Sequence, residues 1–178
     1  MNYHSRHIQA IPVSATNSCS NPCIMCPPGQ QGPAGPPGPA GGVLGAAYIY
    51  DTTQQRLEQG DAVTFNMNGN ITPAGFVTHV AGSAQITITQ TGTYLITYEV
   101  NPQQGTSAFA LFNGATQIGG TSYGSTSGGQ PYVGQQIVTL TAGSVLTVRN
   151  LDGVTTLNNV IPPTIPVNSA SIVIVRLV

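Results

Sequence analysis

Three cysteines, Cys19, Cys23 and Cys26, stand in a C-x3-C-x2-C spacing within "CSNPCIMCPP" and are the residues of this chain whose chemistry is most readily named. Thiols this close can oxidise to disulfides or, as thiolates, hold zinc. Three is odd, so at least one thiol stays unpaired unless it bonds between chains. Inter-chain disulfides here would lock neighbouring copies in register and could bridge one assembly to the next. They would stabilise by restricting the separated state, typically by about 2–4 kcal/mol per bond. The zinc alternative takes three thiolates and a histidine, His4 or His7. The Pro-rich flanks lack the paired CxxC knuckles of structural zinc sites, so disulfides are the preferred reading and no metal is expected. Exposed free thiols are the third alternative.

The remaining reactive groups form no recognisable constellation. His79, alone in "FVTHV", reads as a satisfied core or interface group rather than a ligand. No Ser-His-Asp or Cys-His arrangement stands out. The acids Asp51, Glu58, Asp61, Glu99 and Asp152 show no spacing that pairs two of them for acid–base work. Glu99 and Arg149 are candidates for each other's partner within the β-rich part. "NIT" at 70–72 is a formal glycosylation sequon whose meaning depends on the host. No glycine-rich stretch follows a strand and opens a helix, so a phosphate loop is not expected. The expectation is a chain with no catalytic residues and no cofactor.

Composition narrows the partners. Charged residues are 5% of the chain, with four Arg, no Lys and five acids, against roughly 25% in an average soluble domain. Phosphate backbones need clustered Lys or Arg, so nucleic acid is not an expected partner. No stretch reaches the roughly 18 apolar residues that span a bilayer, so no membrane partner is expected. The opening "MNYHSRHIQAIPVSATNS" has no apolar core of a Sec signal, so export by that route is not expected either. A surface built from Thr, Ser, Asn, Gln and Gly repels its neighbours weakly, which suits permanent assembly.

Three segments must carry these groups. Residues 1–28 are polar and interrupted by Pro12, Pro22, Pro27 and Pro28, which deny them a helix. Within them "IQAIPVSA" is mildly apolar and could lie extended along a partner, with Ile8, Ile11, Pro12 and Val13 as the docking candidates. Residues 29–42 carry "GQQGPAGPPGPAG", with Gly29, Gly32, Gly35, Gly38 and Gly41 in register and proline at 33, 36, 37 and 39. A collagen triple helix requires glycine at each third position because no side chain fits at its axis. Twelve residues at about 3.1 Å each make a stem of only ~37 Å, too short to hold three chains alone.

Residues 43–178 read as all-β. "AQITIT", "TYLITYEV", "SAFALFNG", "QQIVTLTAG", "SVLTVRN" and "ASIVIVRLV" are β-branched or aromatic with period-two alternation, separated by breakers such as "NPQQG" and "LDGV". No helical period extends beyond a turn. Many short strands at near-regular spacing predict a sandwich or jelly roll. Residues 119–134 and 158–169 are the expected long irregular connections. "TYLITYEV" and "ASIVIVRLV" carry apolar residues on both faces, more than one thin core can take, so the surplus face is the expected site of self-association.

"AGSAQITITQTGTYLITYEV", "FALFNGA", "IVTLTAGSVLTVRNLDG" and the closing "ASIVIVRLV", behind a collagen-like repeat, resemble the collagen-like exosporium glycoproteins (BclA type) of bacterial endospores. The resemblance covers most of residues 46–178, and the G-T-Y-x-I-x-Y-x-V strand is its most specific piece. It implies a TNF-like jelly roll, as in the heads of complement component q, a homotrimer, no enzymatic activity and a place on the spore surface. An anchoring protein of the spore coat or exosporium is the further partner it implies. One departure matters: the family's stalks are long and Thr-rich, whereas this stem has four triplets and no Thr. A short stem suits a repeating unit of an exosporium nap or spore-appendage fibre, in which the head segments of one trimer attach to the globular end of the next. Contacts of that kind do not close, so they generate filaments. The competing readings are a receptor-binding adhesin or phage-tail fibre tip using the trimeric β head, and a soluble ligand-binding module acting through its trimer surface.

Overall fold

A computed structural model describes residues 42–178, apart from 104, 128, 162 and 163. Cys19, Cys23, Cys26, the glycines 29 to 41 and the docking candidates Ile8, Ile11, Pro12 and Val13 all lie outside the described residues. No helix occurs among the described residues. The strands are, in chain order, β1 (Gly45–Asp51), β2 (Gln55–Leu57), β3 (Met67–Thr72), β4 (Val77–His79), β5 (Ile86–Ile88), β6 (Gly92–Val100), β7 (Ser107–Asn113) and β8 (Thr116–Gln117). They continue with β9 (Tyr123–Ser125), β10 (Tyr132–Leu140), β11 (Val145–Asn150), β12 (Thr155–Leu157), β13 (Val160–Ile161), β14 (Ile165–Pro166) and β15 (Ala170–Arg176).

Two antiparallel sheets hold most of these strands. One runs β10-β6-β15-β1-β3 and the other β4-β5-β11-β7-β8, with β9 also pairing β7. The small pairs β12-β2 and β13-β14 lie off this framework. The order is far from sequential, with the last strand β15 lodged between β6 and β1. An apolar chain end placed centrally has both its backbone edges paired, which removes the exposed edge that such a sequence would otherwise present.

Alternation of side chains explains the core. From the first sheet Ala47, Ile49, Tyr94, Ile96, Tyr98, Ile172 and Ile174 point inward, and from the second Val77, Ile86, Ile88, Phe109, Leu111, Leu146 and Val148 meet them, all fully or nearly fully buried. Phe65, Val63 and Phe76, from the segments flanking β3, complete the same cluster. Tyr98 is the largest polar-ended member. Its hydroxyl lies 2.8 Å from the Phe109 carbonyl and 2.6 Å from that of Thr121, so the buried O–H has acceptors on the facing sheet. Burial holds this phenol far above its usual titration range. Room for the ring comes from its cross-strand partner Gly134, where an added Cβ would stand 2.2 Å from the Tyr98 ring.

The sequence reading needs correction in four places, the first being that β2, β3 and β12 are absent from its expected strands. The strand β1, "GAAYIYD", was not among the expected strands although it alternates cleanly buried and half-buried. The supposed irregular span 119–134 contains β9 and the start of β10, which begins at Tyr132 rather than Gln135. The span 158–169 contains the β13-β14 pair.

Candidate functional site

The outward side of the five-stranded sheet is built by the alternate residues of the same strands. Cross-strand register sets them in rows. One row is Val133, Glu99, Ser171 and Tyr50; the next is Gln135, Thr97, Val173 and Tyr48; the third is Ile137, Leu95, Val175 and Ala46. The apolar members form a belt across four strands. Ile137 is 59% exposed and Val133 49%, while Leu95, Val173 and Val175 are half-buried by their neighbours. Polar rungs between β10 and β6 are uncharged, with Gln135 Nε2 donating to Thr97 Oγ1 at 3.2 Å and the Thr93 and Thr139 hydroxyls 3.4 Å apart. Glu99 is the single charge in these rows. An apolar, nearly uncharged patch on a sheet face is the composition of a protein contact rather than of ordinary solvent-facing surface.

One buried acid fixes the end of this face. Asp51, 1% exposed at the end of β1, accepts through Oδ2 from Thr53 N (2.9 Å), Thr53 Oγ1 (2.8 Å), Gln55 Nε2 (2.8 Å) and Ser169 Oγ (2.6 Å). Its Oδ1 accepts from Asn66 N at 3.2 Å. Burial alone would raise this carboxyl's pKa. The hydrogen bonds from Ser169, Gln55 and Thr53 outweigh it and hold the group below its usual value of 3.8. The carboxylate thereby ties β1, the turn into β2, the strand-like segment at Asn66 and the approach to β15 to one point.

The other residues singled out from sequence fall apart from one another. His79 is satisfied as expected: Nδ1 lies 2.6 Å from Asn68 Oδ1, Nε2 lies 2.9 Å from the Ser83 carbonyl, and the ring meets Phe65 edge-on. Glu99 and Arg149 are not partners, which corrects that expectation. Glu99 lies on the outer face of the first sheet, whereas Arg149 belongs to β11 of the second. There Arg149 lies over the Phe112 ring at 4.7 Å and donates to the Gly114 carbonyl at 2.7 Å and to Thr147 Oγ1 at 3.0 Å. Arg56 and Glu58, 3.2 Å apart and both exposed, form the one ion pair among the described residues. No group of three or more His, Cys, Asp or Glu comes together among the described residues. Asn70 sits on β3, an exposed edge strand. The Asp51 clamp escaped the sequence reading because its partners are small hydroxyl and amide residues up to 118 positions away.

No protein-family model matches the chain, and no curated protein matches its sequence. Solved structures do match its architecture. The fold is the TNF and complement 1q jelly roll. The globular domain of zebrafish complement 1qA protein superposes with a TM-score of 0.51 at 14% identity, covering 74% of this chain and 94% of that one. Eiger TNF from S. frugiperda gives 0.52 at 17% identity, covering 75% of this chain and 92% of the other. Murine APRIL at pH 5.0 gives 0.53 at 11% identity, covering 75% and 98%. Identities this low carry the fold and leave function to be argued from the surfaces.

Proposed function

We propose that this chain is a structural, self-assembling subunit whose β domain associates as a homotrimer through the outer face of the β10-β6-β15-β1 sheet. The observation that carries this reading is that face itself, with Ile137, Leu95, Val175 and Val173 in adjoining rows and one charge among them. Burying such a belt removes apolar area from water at about 25 cal/mol per Å². A threefold arrangement follows from the resemblance to the exosporium glycoproteins and gives the glycine-every-third stretch at 29–41 the three strands that a collagen helix requires.

The short stem then acts as a connector, held by the β domains on one side and by the cysteine cluster on the other. We infer that trimers stack head to tail through the N-terminal segment, with Ile8, Ile11, Pro12 and Val13 laid on the globular end of the next trimer and Cys19, Cys23 and Cys26 forming inter-chain disulfides. The setting this assembly fits best is the bacterial spore surface, as exosporium nap or appendage fibre. Electron microscopy of the purified full chain under oxidising conditions tests the stacking. Filaments with a regular axial repeat are expected, and a field of discrete trimers would refute head-to-tail assembly. Labelled antibody applied to intact spores and to vegetative cells tests the location, with label confined to spores expected.

A further inference from the structure

The outer face continues one row past Leu95 and Val175, toward the point where the chain enters β1. Thr93 N donates to the Val178 carbonyl at 2.9 Å and Leu177 N to the Thr93 carbonyl at 2.8 Å, so β6 and the end of the chain stay paired there. Leu44 N donates to the Arg176 carbonyl at 2.9 Å and holds the lead-in to β1 beside the same strand. Val43 is 60% exposed and Leu44 45%, while Leu177 is half-buried. Gly45, between Leu44 and Ala46, is buried against the Phe76 ring, which leaves Leu44 on the outward side with Ala46. We propose, building on the trimer above, that Val43, Leu44 and Leu177 of three copies pack as an apolar collar, and that this collar holds the collagen-like stem in register.

Chain length names the occupant as two further copies of this chain. Gly41 is the last glycine of the every-third series, and three strands of a collagen helix meet at their glycines, where no side chain fits. Val43 follows two residues later, and an extended chain advances at most about 3.6 Å per residue, so each Val43 lies within about 7 Å of its own Gly41. Its three copies crowd one another before they reach any other partner. Leu44 and Leu177 share the side of the sheet that bears the Ile137–Leu95–Val175–Ala46 row. The collar is the end of the self-association belt, and covering it takes exposed apolar side chains out of water.

Gly42 is the joint. It stands directly after Gly41 and so breaks the every-third series, and its φ of +150° is a value that side chains disfavour. The chain bends at this residue, which has no Cβ, before the collar begins. A stem of only four triplets gains from such a fixed end. Three strands tethered at one point lose less freedom on winding than three strands left free to separate.

Hydrogen–deuterium exchange of the full chain under reducing conditions, read on peptides covering 29–42 with sedimentation of the same samples, tests the collar. The native chain is expected to sediment as three copies with its stem glycine amides protected. Val43→Asp and Leu44→Asp are each expected to abolish that protection while the mass stays at three copies, since the Ile137–Leu95–Val175 row is untouched. Leu44→Met is expected to keep the protection, and so is Val154→Asp, a control at an exposed apolar residue of the β11–β12 connection. A three-copy mass with protection indifferent to both aspartates would overturn the collar and leave the trimer standing. Stem amides that exchange freely in the native trimer would do the same. Dissociation of both variants to single chains would overturn it by showing that this row holds the heads rather than the stem. A single chain's mass for the native protein would overturn the trimer and the collar with it.

Discussion

Replacing Asp51 by Asn tests how the end of the sandwich is held. The two side chains have nearly the same shape, so packing is preserved and only the hydrogen-bond chemistry changes. In the native chain one carboxylate oxygen accepts four hydrogen bonds and the other accepts one. An amide puts an N–H₂ donor where one of these oxygens stood. If it replaces Oδ2, donors face donors from Thr53, Gln55 and Ser169; if it replaces Oδ1, it faces the Asn66 N–H and the remaining bonds lose their charge assistance. Hydrogen bonds to a charged group contribute about 1.5–3 kcal/mol each and are not additive within one cluster, so a net loss of about 3–5 kcal/mol is expected. At this domain size that lowers the melting temperature by about 10–20 °C, read by calorimetry at fixed protomer concentration because association also moves the midpoint. The wild type adds a second signature. The folded-state pKa of Asp51 lies below its usual 3.8, so the carboxylate's contribution is fully present above that value and is lost as pH falls through the lower folded pKa. The Asn variant lacks that increment, so its stability should fall less steeply over the same acid range. A melting temperature within a few degrees of wild type, or parallel acid profiles, would refute the clamp.

The remaining predictions address packing, assembly and the cysteines. Gly134→Ala places a methyl group against the Tyr98 ring and should cost about 1–3 kcal/mol by overpacking, measured by denaturant unfolding; an unchanged midpoint would show that the ring moves aside freely. Leu95→Asp and Val175→Asp on the outer face should lower the sedimenting mass to that of one chain while leaving the circular dichroism of a β protein, and a mass unchanged in both variants would place the contact elsewhere. On a non-reducing gel the full chain should run as covalent oligomers that collapse with reductant, and Cys→Ser at 19, 23 and 26 together should abolish them. Dissociation by chelator instead of reductant would favour zinc.

The all-β class and the breakers between strands were legible in the sequence because period-two alternation is a local property. The surplus apolar face of "TYLITYEV" and "ASIVIVRLV" was legible for the same reason, and the structure sets those two strands side by side as β6 and β15. Strand β1 was missed because "GAAYIYD" opens on small residues and its pattern becomes clear only when Asp51 is seen to face inward. Nothing local tells a reader that an aspartate will be buried; that depends on Ser169, far along the chain. The pairing of Glu99 with Arg149 failed because opposite charge says nothing about which sheet a residue joins.

The central claim is that three copies are held together by the outer face of one sheet. Sedimentation equilibrium of the full chain under reducing conditions, with the disulfides removed from the question, measures it most directly. The account predicts a particle of three 18.3 kDa chains whose mass holds steady on dilution through the micromolar range. A folded particle of a single chain's mass over that range would contradict it.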